Sequence, residues 1–270
     1  MIRPYGGYMS SQWRTGGAGA LAAYAPEVNV LGLRGAAPGG LDRTLLDDPA
    51  TVAFAEQFGV DVSQIDDEMR TAFLAATGAH AFDVTQVVYL EDQLPRLMAA
   101  LDAVFGTGPW APAQQRAVEN LWPTVEAFMQ QVARLTALEP VMTEIVRLRG
   151  ARQHDCRLCR SRRSASALRD GADEPTFDAI DRWTDSDLPA ATKAALGLVD
   201  AMIWTPFAIP DNVVADIRQH LSPAQAVEVA LDVVRNAANK IAVALGADAP
   251  EVTDGVQLFE VDATGTLTFP

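Results

Sequence analysis

The sequence predicts an all-α helical bundle with a small C-terminal β-hairpin. Apolar residues recur every three or four positions in most segments between residues 48 and 246. Alanine is frequent in segments such as "FLAATGAHAF" and "DVVRNAANKIAVALG", which favours closely packed helices. In residues 256–269 the apolar residues alternate instead, around Asp-Ala-Thr-Gly, which is typical of a hairpin. With 270 residues, the chain is long enough to bury a core without a disulfide framework.

The same patterns divide the chain into four regions. These are a glycine-rich N-terminal arm at 1–40, an N-terminal helical region at 41–138, a helical region that contains the motif CRLC at 139–250, and the hairpin at 251–270. The arm shows no sustained period, so it is either a free tail or an extended segment that wraps a neighbouring subunit. In the second region, Pro95 and Pro123 each predict a break or kink in a helix.

The third region begins with a helix that stops near Gly150. A cysteine-containing helix follows over about 154–171, and three further helical segments lead to the last long helix. That helix opens with Ser222, which can cap it together with Gln225 in a capping box, and it ends at Gly246.

Polar residues interrupt the otherwise apolar pattern of this last helix. They are Asn236, Asn239 and Lys240, in the segment "RNAANK". Such residues predict either a buried hydrogen-bond network or an interface, and the network is the more frequent case.

Charge and composition restrict the classes of function. The chain carries 21 basic and 35 acidic residues, a net charge of −14 that repels nucleic acid and anionic lipid. No apolar run reaches the roughly 20 residues that span a bilayer, and the N-terminus lacks a signal-peptide pattern. Two cysteines in a chain of this length fit a reducing compartment, so we expect a cytoplasmic protein.

The two cysteines are the strongest chemical signal. Asp155 is suited to cap the helix that follows, which places Cys156 in its first turn and Cys159 one turn later on the same face. The two sulfurs can therefore meet. Positive charge nearby lowers a thiol pKa, and four arginines supply it: Arg157, Arg160, Arg162 and Arg163. Their density points to anionic partners, of which a thiolate and a carboxylate are the candidates.

Glu144 lies on the preceding helix, twelve residues before Cys156. It can act as a general base or proton relay towards the cysteines, or it can pair with Arg147 or Arg163 and hold the helices together. A zinc site is not expected, because His154 and the two cysteines are too close in sequence and no second ligand pair exists. No cofactor or metal is predicted.

The pattern of Glu144, "RLRGARQHD" and "CRLC" resembles the AhpD-like alkylhydroperoxidases of the carboxymuconolactone decarboxylase superfamily. The likeness covers roughly residues 139–246, including the small-residue helix "TKAALGLVDAMI" and a closing helix after it. The spacing from the glutamate to CxxC is fairly specific, whereas CxxC alone is not.

This resemblance implies an all-α homo-oligomer that reduces a hydroperoxide or disulfide substrate at the expense of an external dithiol. It implies that Cys159 attacks the substrate and that Cys156 resolves the intermediate. Glu144 would serve as base or anchor. Nucleic acid and membranes are not expected partners.

The sequence departs from the family pattern at two positions. Family peroxidases have a histidine four residues after the second cysteine and often another just before it, where this chain has Arg163 and Leu158. An arginine stabilises a thiolate but does not shuttle protons near neutral pH. We therefore expect Arg163 and Arg160 to stabilise the thiolate, and His154 to be either a substitute proton carrier or a structural residue. The alternative function is a redox-sensing or structural homo-oligomer that has lost peroxidase chemistry.

Overall fold

The computed structural model describes residues 11–28, 30–108 and 119–270. Within them the chain is mainly helical, with a small three-stranded sheet, so the predicted coarse fold class is confirmed. The helices are α1 (Gly17–Tyr24), α2 (Pro49–Val60), α3 (Asp67–Thr77), α4 (Ala81–Phe105), α5 (Trp122–Ala133), α6 (Pro140–Gln153), α7 (Arg157–Arg160), α8 (Ala165–Arg169), α9 (Glu174–Asp178), α10 (Ala190–Trp204), α11 (Asp211–His220), α12 (Pro223–Ala237) and α13 (Asn239–Ala244). The strands are β1 (Arg162–Ser164), β2 (Gln257–Val261) and β3 (Leu267–Thr268).

One apolar core joins the N-terminal helical region to the CxxC region. Helix α12 lies at its centre and packs against α1, α4, α5, α6 and α10. The Tyr89 hydroxyl on α4 donates to the Val234 carbonyl on α12 at 2.8 Å. On the outer side of α4, Phe54 of α2 stacks on Phe73 of α3, with ring centroids 3.8 Å apart. The elements around the cysteines are therefore held by contacts from both halves of the chain.

The sheet has β2 at its centre, parallel to β1 and antiparallel to β3. The predicted C-terminal hairpin is thus confirmed, and it gains a third strand from the segment just after the cysteines, where Arg163 lies opposite Leu258. A lone hairpin is marginally stable in water, which explains why it needs this partner.

The turn of the hairpin lies against α5. Gly265 has a φ of +87°, and a β-carbon there would be 2.2 Å from the Gln130 carbonyl oxygen. Only glycine permits this approach. The Asp262 carboxylate closes the turn by accepting hydrogen bonds from the amides of Thr264 and Thr266. The hairpin is thereby fixed beside the CxxC segment.

Helix boundaries follow the local sequence in most places. Ser222 and Gln225 form the predicted capping box of α12. Pro123 is in the first turn of α5, where its missing N–H is harmless, so the predicted interruption there is a helix start. Helix α4 runs through Pro95 without ending. The part of the predicted helix at 112–118 lies outside the described residues.

Three predictions of local structure are wrong. The cysteine helix is four residues long, because the chain after it pairs with β2 and the Ser164 side chain then caps α8. The last long helix is divided at Ala238, whose amide donates to the Arg235 carbonyl three residues earlier. The predicted N-terminal arm contains a helix, α1, which packs on α4. Residues 1–10 of that arm lie outside the described part.

Candidate functional site

The CxxC motif lies in the sharp turn between α6 and β1. Cys156 is the N-cap of α7, and its Sγ accepts a hydrogen bond from the Cys159 amide at 3.2 Å. The two sulfurs form a disulfide, as the spacing predicted. The predicted capping role of Asp155 is wrong: this residue has a φ of +49°, which aspartate tolerates better than most residues, and its carboxylate pairs with Arg160.

The four arginines around the cysteines all pair with carboxylates. The Arg163 guanidinium donates to both oxygens of Glu174 at 3.0 Å and to the carbonyls of residues 160 and 162. Of the two anionic partners that the sequence suggested, the structure therefore provides carboxylates, and a role of Arg163 at a thiolate stays a prediction. The pairs are Arg157–Asp248, Arg160–Asp155, Arg162–Glu251 and Arg163–Glu174.

Glu144 is buried on α6 and both of its oxygens accept hydrogen bonds. Arg147 binds it with two nitrogens, each at 2.7 Å, and the Ser164 amide donates to it at 3.1 Å. The same guanidinium donates to the carbonyls of Cys159 at 2.9 Å and Arg162 at 2.8 Å. Glu144 thus holds Arg147 in place, and Arg147 holds the second cysteine and β1. Of the two roles expected for Glu144, these contacts are those of an anchor.

His154 is buried at the end of α6 and faces a different part of the molecule. It lines a small cavity of about 10 Å³ together with Arg96, Trp204 and Lys240. Burial lowers the pKa of His154 well below its usual value, and the charges of Lys240 and Arg96 add to this shift. The imidazole is therefore neutral at physiological pH and lies on a separate cavity from the one that Cys159 lines.

Cys159 opens onto a larger cavity of about 320 Å³, whereas Cys156 is fully buried. This cavity, here called the Cys159 cavity, lies between α5, α12 and the sheet. Its lining combines guanidinium and carboxamide groups with apolar side chains. The residues are Glu126, Met129, Gln130, Arg147, Leu158, Cys159, Arg162, Arg235, Asn236, Asn239, Phe259, Gly265, Thr266 and Leu267.

Behind this cavity, α12 carries a buried acidic residue. Asp232 lies 3.6 Å from the Arg235 guanidinium, longer than a hydrogen bond, and its Oδ2 has no hydrogen-bond partner among the described residues. Burial raises the pKa of Asp232 to about 7, the Arg235 charge opposes this shift, and the charge of Glu228 adds to it. Asp232 therefore titrates near neutral pH beside the Cys159 cavity.

Metal ligands do not cluster in the described residues. No group of three or more histidine, cysteine or acidic side chains in residues 11–28, 30–108 and 119–270 is placed to hold an ion. The same part of the chain contains no helix that is long and apolar enough to cross a membrane.

Fold and site together define a mainly helical protein in which a CxxC disulfide borders an arginine-lined cavity. Two relatives are found in Mycobacterium tuberculosis, Uncharacterized protein MT2376 and Uncharacterized protein Rv2313c. Each is 42% identical to this chain over 224 residues, which cover 80% of this chain and 78% of the relative. The chain belongs to the family of these mycobacterial proteins. No protein-family model matches it, and no solved structure matches it.

The sequence singled out only part of this site. It identified both cysteines, Glu144 and the amides of Asn236 and Asn239, but it missed Arg235 beside them. The signal was present, since Arg235 belongs to the same polar interruption of a buried helix. The hairpin residues Phe259 and Leu267 carried no such signal, because only the pairing of β2 with β1 brings them to the cysteines.

Proposed function

We propose that the chain is a thiol-dependent reductase of the AhpD-like type, acting on a hydroperoxide or disulfide substrate in the Cys159 cavity. The observation that carries this proposal is that Cys159 of a CxxC disulfide lines a cavity and is 5% exposed, whereas Cys156 is fully buried and does not line the cavity. A volume of about 320 Å³ is within the range of small-molecule sites. The resemblance around Glu144 and CRLC supports the same assignment.

The reaction on a hydroperoxide starts from the dithiol form. The Cys159 thiolate attacks the terminal peroxide oxygen, the O–O bond breaks, and the alkoxide takes a proton to leave as an alcohol. The resulting sulfenic acid condenses with the Cys156 thiol, which forms the disulfide and releases water. An external dithiol then reduces the disulfide by two exchange steps and is itself oxidised. A disulfide substrate would enter by the same exchange chemistry at Cys159.

The surroundings of Cys159 favour its thiolate. Three guanidinium groups line the cavity with it, those of Arg147, Arg162 and Arg235. Nearby cations lower the pKa of a thiol because they stabilise its charged form. Arg147 is also fixed to the Cys159 carbonyl, so its charge stays beside the motif. In the proposed mechanism these arginines replace the electrostatic role of the family histidines, and the proton of the alcohol comes from water.

The test combines thiol alkylation with turnover on the full-length reduced chain. We expect one thiol to be alkylated with a pKa clearly below about 8.5 and hydroperoxide to be consumed catalytically with excess dithiol. Cys159→Ser should abolish turnover. Cys156→Ser, the matched control, should consume one equivalent of hydroperoxide in the absence of added dithiol and then stop at a trappable sulfenic acid. Turnover that survives in Cys159→Ser, or thiols that resist alkylation and oxidation, would contradict the proposal.

A redox sensor is the second candidate, favoured by the contacts of Glu144. Arg147 and Ser164 donate to both of its oxygens, so in the oxidised form Glu144 serves as an anchor of the motif. Arg147 also ties the Cys159 carbonyl to β1, so reduction of the disulfide can alter the sheet and an assembly built on it. A sensor would be oxidised once without turnover, and its oligomeric state would differ between the two redox forms. Light scattering on the reduced and oxidised protein would detect this difference in mass.

A further inference from the structure

Two neighbouring polar residues of α12, Arg235 and Asn236, line the Cys159 cavity and are poorly paired among the described residues. Asn236 is 8% exposed, and its Nδ2 is buried without a hydrogen-bond partner among the described residues. Next to it on α12, the Arg235 guanidinium has its ion-pair contact with Asp232 at 3.6 Å. Buried donors are normally paired, so an unpaired buried amide beside a weakly paired guanidinium in the lining of a cavity indicates a ligand that supplies the acceptor.

The other cations of this cavity are already bonded. Arg147 is held by Glu144, and Arg162 by Glu251 at 3.0 Å and Gln257 at 3.0 Å. Burial lowers the pKa of the Arg235 guanidinium, the charge of Asp232 opposes this shift, and the charge of Arg147 adds to it. Arg235 is therefore a buried cation within electrostatic reach of a second one. An anion in the cavity would relieve this repulsion.

Other residues of the lining are apolar. They are Met129, Leu158, Phe259 and Leu267, contributed by α5, α7 and the hairpin. A ligand that fits the whole cavity therefore has an anionic end and an apolar body. Arginine and an amide donor suit a planar carboxylate, because its two oxygens can accept from both groups at once.

We propose that the Cys159 cavity binds its substrate through a carboxylate, held by Arg235 and Asn236, with the apolar body against the hairpin. This inference rests on the proposed function, since it assigns a substrate class to the same cavity. The substrate would be an organic acid whose hydroperoxide or disulfide group faces Cys159. Glu126, which also lines the cavity, is exposed, and the buried Asp232 carboxylate beside Arg235 does not line the cavity.

The first experiment measures binding without chemistry. The probe is 4-isopropylbenzoate, and its methyl ester is the neutral control, both titrated calorimetrically into the oxidised full-length chain. We expect the acid to bind at least tenfold more tightly than the ester. Arg235→Gln should remove this preference, whereas Arg169→Gln, which removes an exposed arginine paired with Glu260, should keep it. Asn236→Leu should weaken binding of the acid severalfold. This variant replaces Arg235→Gln in the test if Arg235→Gln does not fold.

The second experiment compares turnover of the hydroperoxide of 4-isopropylbenzoic acid with that of its methyl ester. We expect a lower KM for the acid in the wild type and equal values in Arg235→Gln. Equal binding of acid and ester by the wild type, or a preference that survives both Arg235→Gln and Asn236→Leu, would overturn the carboxylate site. Arg235-dependent binding without turnover of either hydroperoxide would support the site and overturn the proposed reductase function.

Discussion

Two polar clusters at the last helices differ in how completely their groups are bonded. The Asp92 cluster consists of Asp92, Gln93, Arg96 and Lys240, and the Asp232 cluster consists of Asp232, Arg235 and Asn236. Asp92 accepts hydrogen bonds at 2.6 Å from each of its three cluster partners. Arg96 also donates to the carbonyls of Gly59, Met202 and Ile203. In the Asp232 cluster, one carboxylate oxygen and one amide nitrogen have no partner among the described residues.

This difference separates a structural cluster from a candidate binding cluster. The Asp92 cluster joins α4 to α2, α10 and α13 through hydrogen bonds and ion pairs. An unsaturated cluster costs folding free energy, because buried polar groups without partners have lost their water. Since Arg235 and Asn236 line the Cys159 cavity and no member of the Asp92 cluster does, the difference agrees with a binding role for Arg235 and Asn236.

The largest predicted effect on stability comes from neutralising the carboxylates of Asp92 and Asp232 in separate variants. Asp92→Asn leaves Lys240 and Arg96 buried without their counter-ion and should lower the free energy of unfolding by about 3–5 kcal/mol. Asp232→Asn removes a carboxylate that is poorly paired, so its stability at pH 8 should equal or exceed that of the wild type. Urea denaturation with the disulfide intact measures both variants. A loss in Asp232→Asn as large as in Asp92→Asn would show that the two clusters are energetically alike.

The next effect is the pH dependence of stability. Burial raises the pKa of Asp232 to about 7 in the folded chain, above its usual value of 3.8, so the folded state holds this proton more tightly than the unfolded state does. The contribution of Asp232 to the free energy of unfolding should therefore fall as the pH rises through 7, by roughly 2–3 kcal/mol between pH 5 and pH 8. Burial shifts the pKa of Glu228 in the same direction.

Asp232→Asn is the control for this pH profile. The profile of the wild type minus that of Asp232→Asn isolates the Asp232 contribution, since Glu228 and His154, whose pKa is lowered by burial, act equally in both proteins. A difference that does not fall between pH 5 and pH 8 would contradict a buried, protonated Asp232.

The smallest predicted effect on stability is the difference between replacing the side-chain amide of Gln93 and replacing that of Asn236. Gln93 donates to the Asp92 carboxylate, so Gln93→Leu should cost about 1.5 kcal/mol. Asn236→Leu loses no hydrogen bond from Nδ2 and should change stability by less than about 0.5 kcal/mol. Thermal unfolding of both variants tests this. A clear loss of stability in Asn236→Leu would mean that its amide is bonded in solution, which would weaken the case for a ligand there.

Much of the fold was predictable because its signals are local. The period of the apolar residues, the Ser222 capping box and the alternation after residue 255 each depend on a few neighbouring residues. The cysteine helix was predicted too long, because its local helical pattern competes with the pairing of β1 and β2. Helix α1 was missed because its apolar positions belong to a glycine-rich segment whose helix is held by packing on α4.

The sequence by itself determined the mainly helical class, the hairpin and the meeting of the two sulfurs, since four residues of chain bring Cys156 and Cys159 within bonding reach. Tertiary structure alone decided that Cys159 and not Cys156 lines the cavity, that Glu144 is bound by Arg147, and that Asn236 is left with an unpaired donor beside Arg235. Those facts depend on α12 and the C-terminal hairpin, which reach the motif from residues about 70 to 110 positions later in the chain. Contacts between residues so far apart in the sequence do not produce a periodic pattern from which they could be predicted.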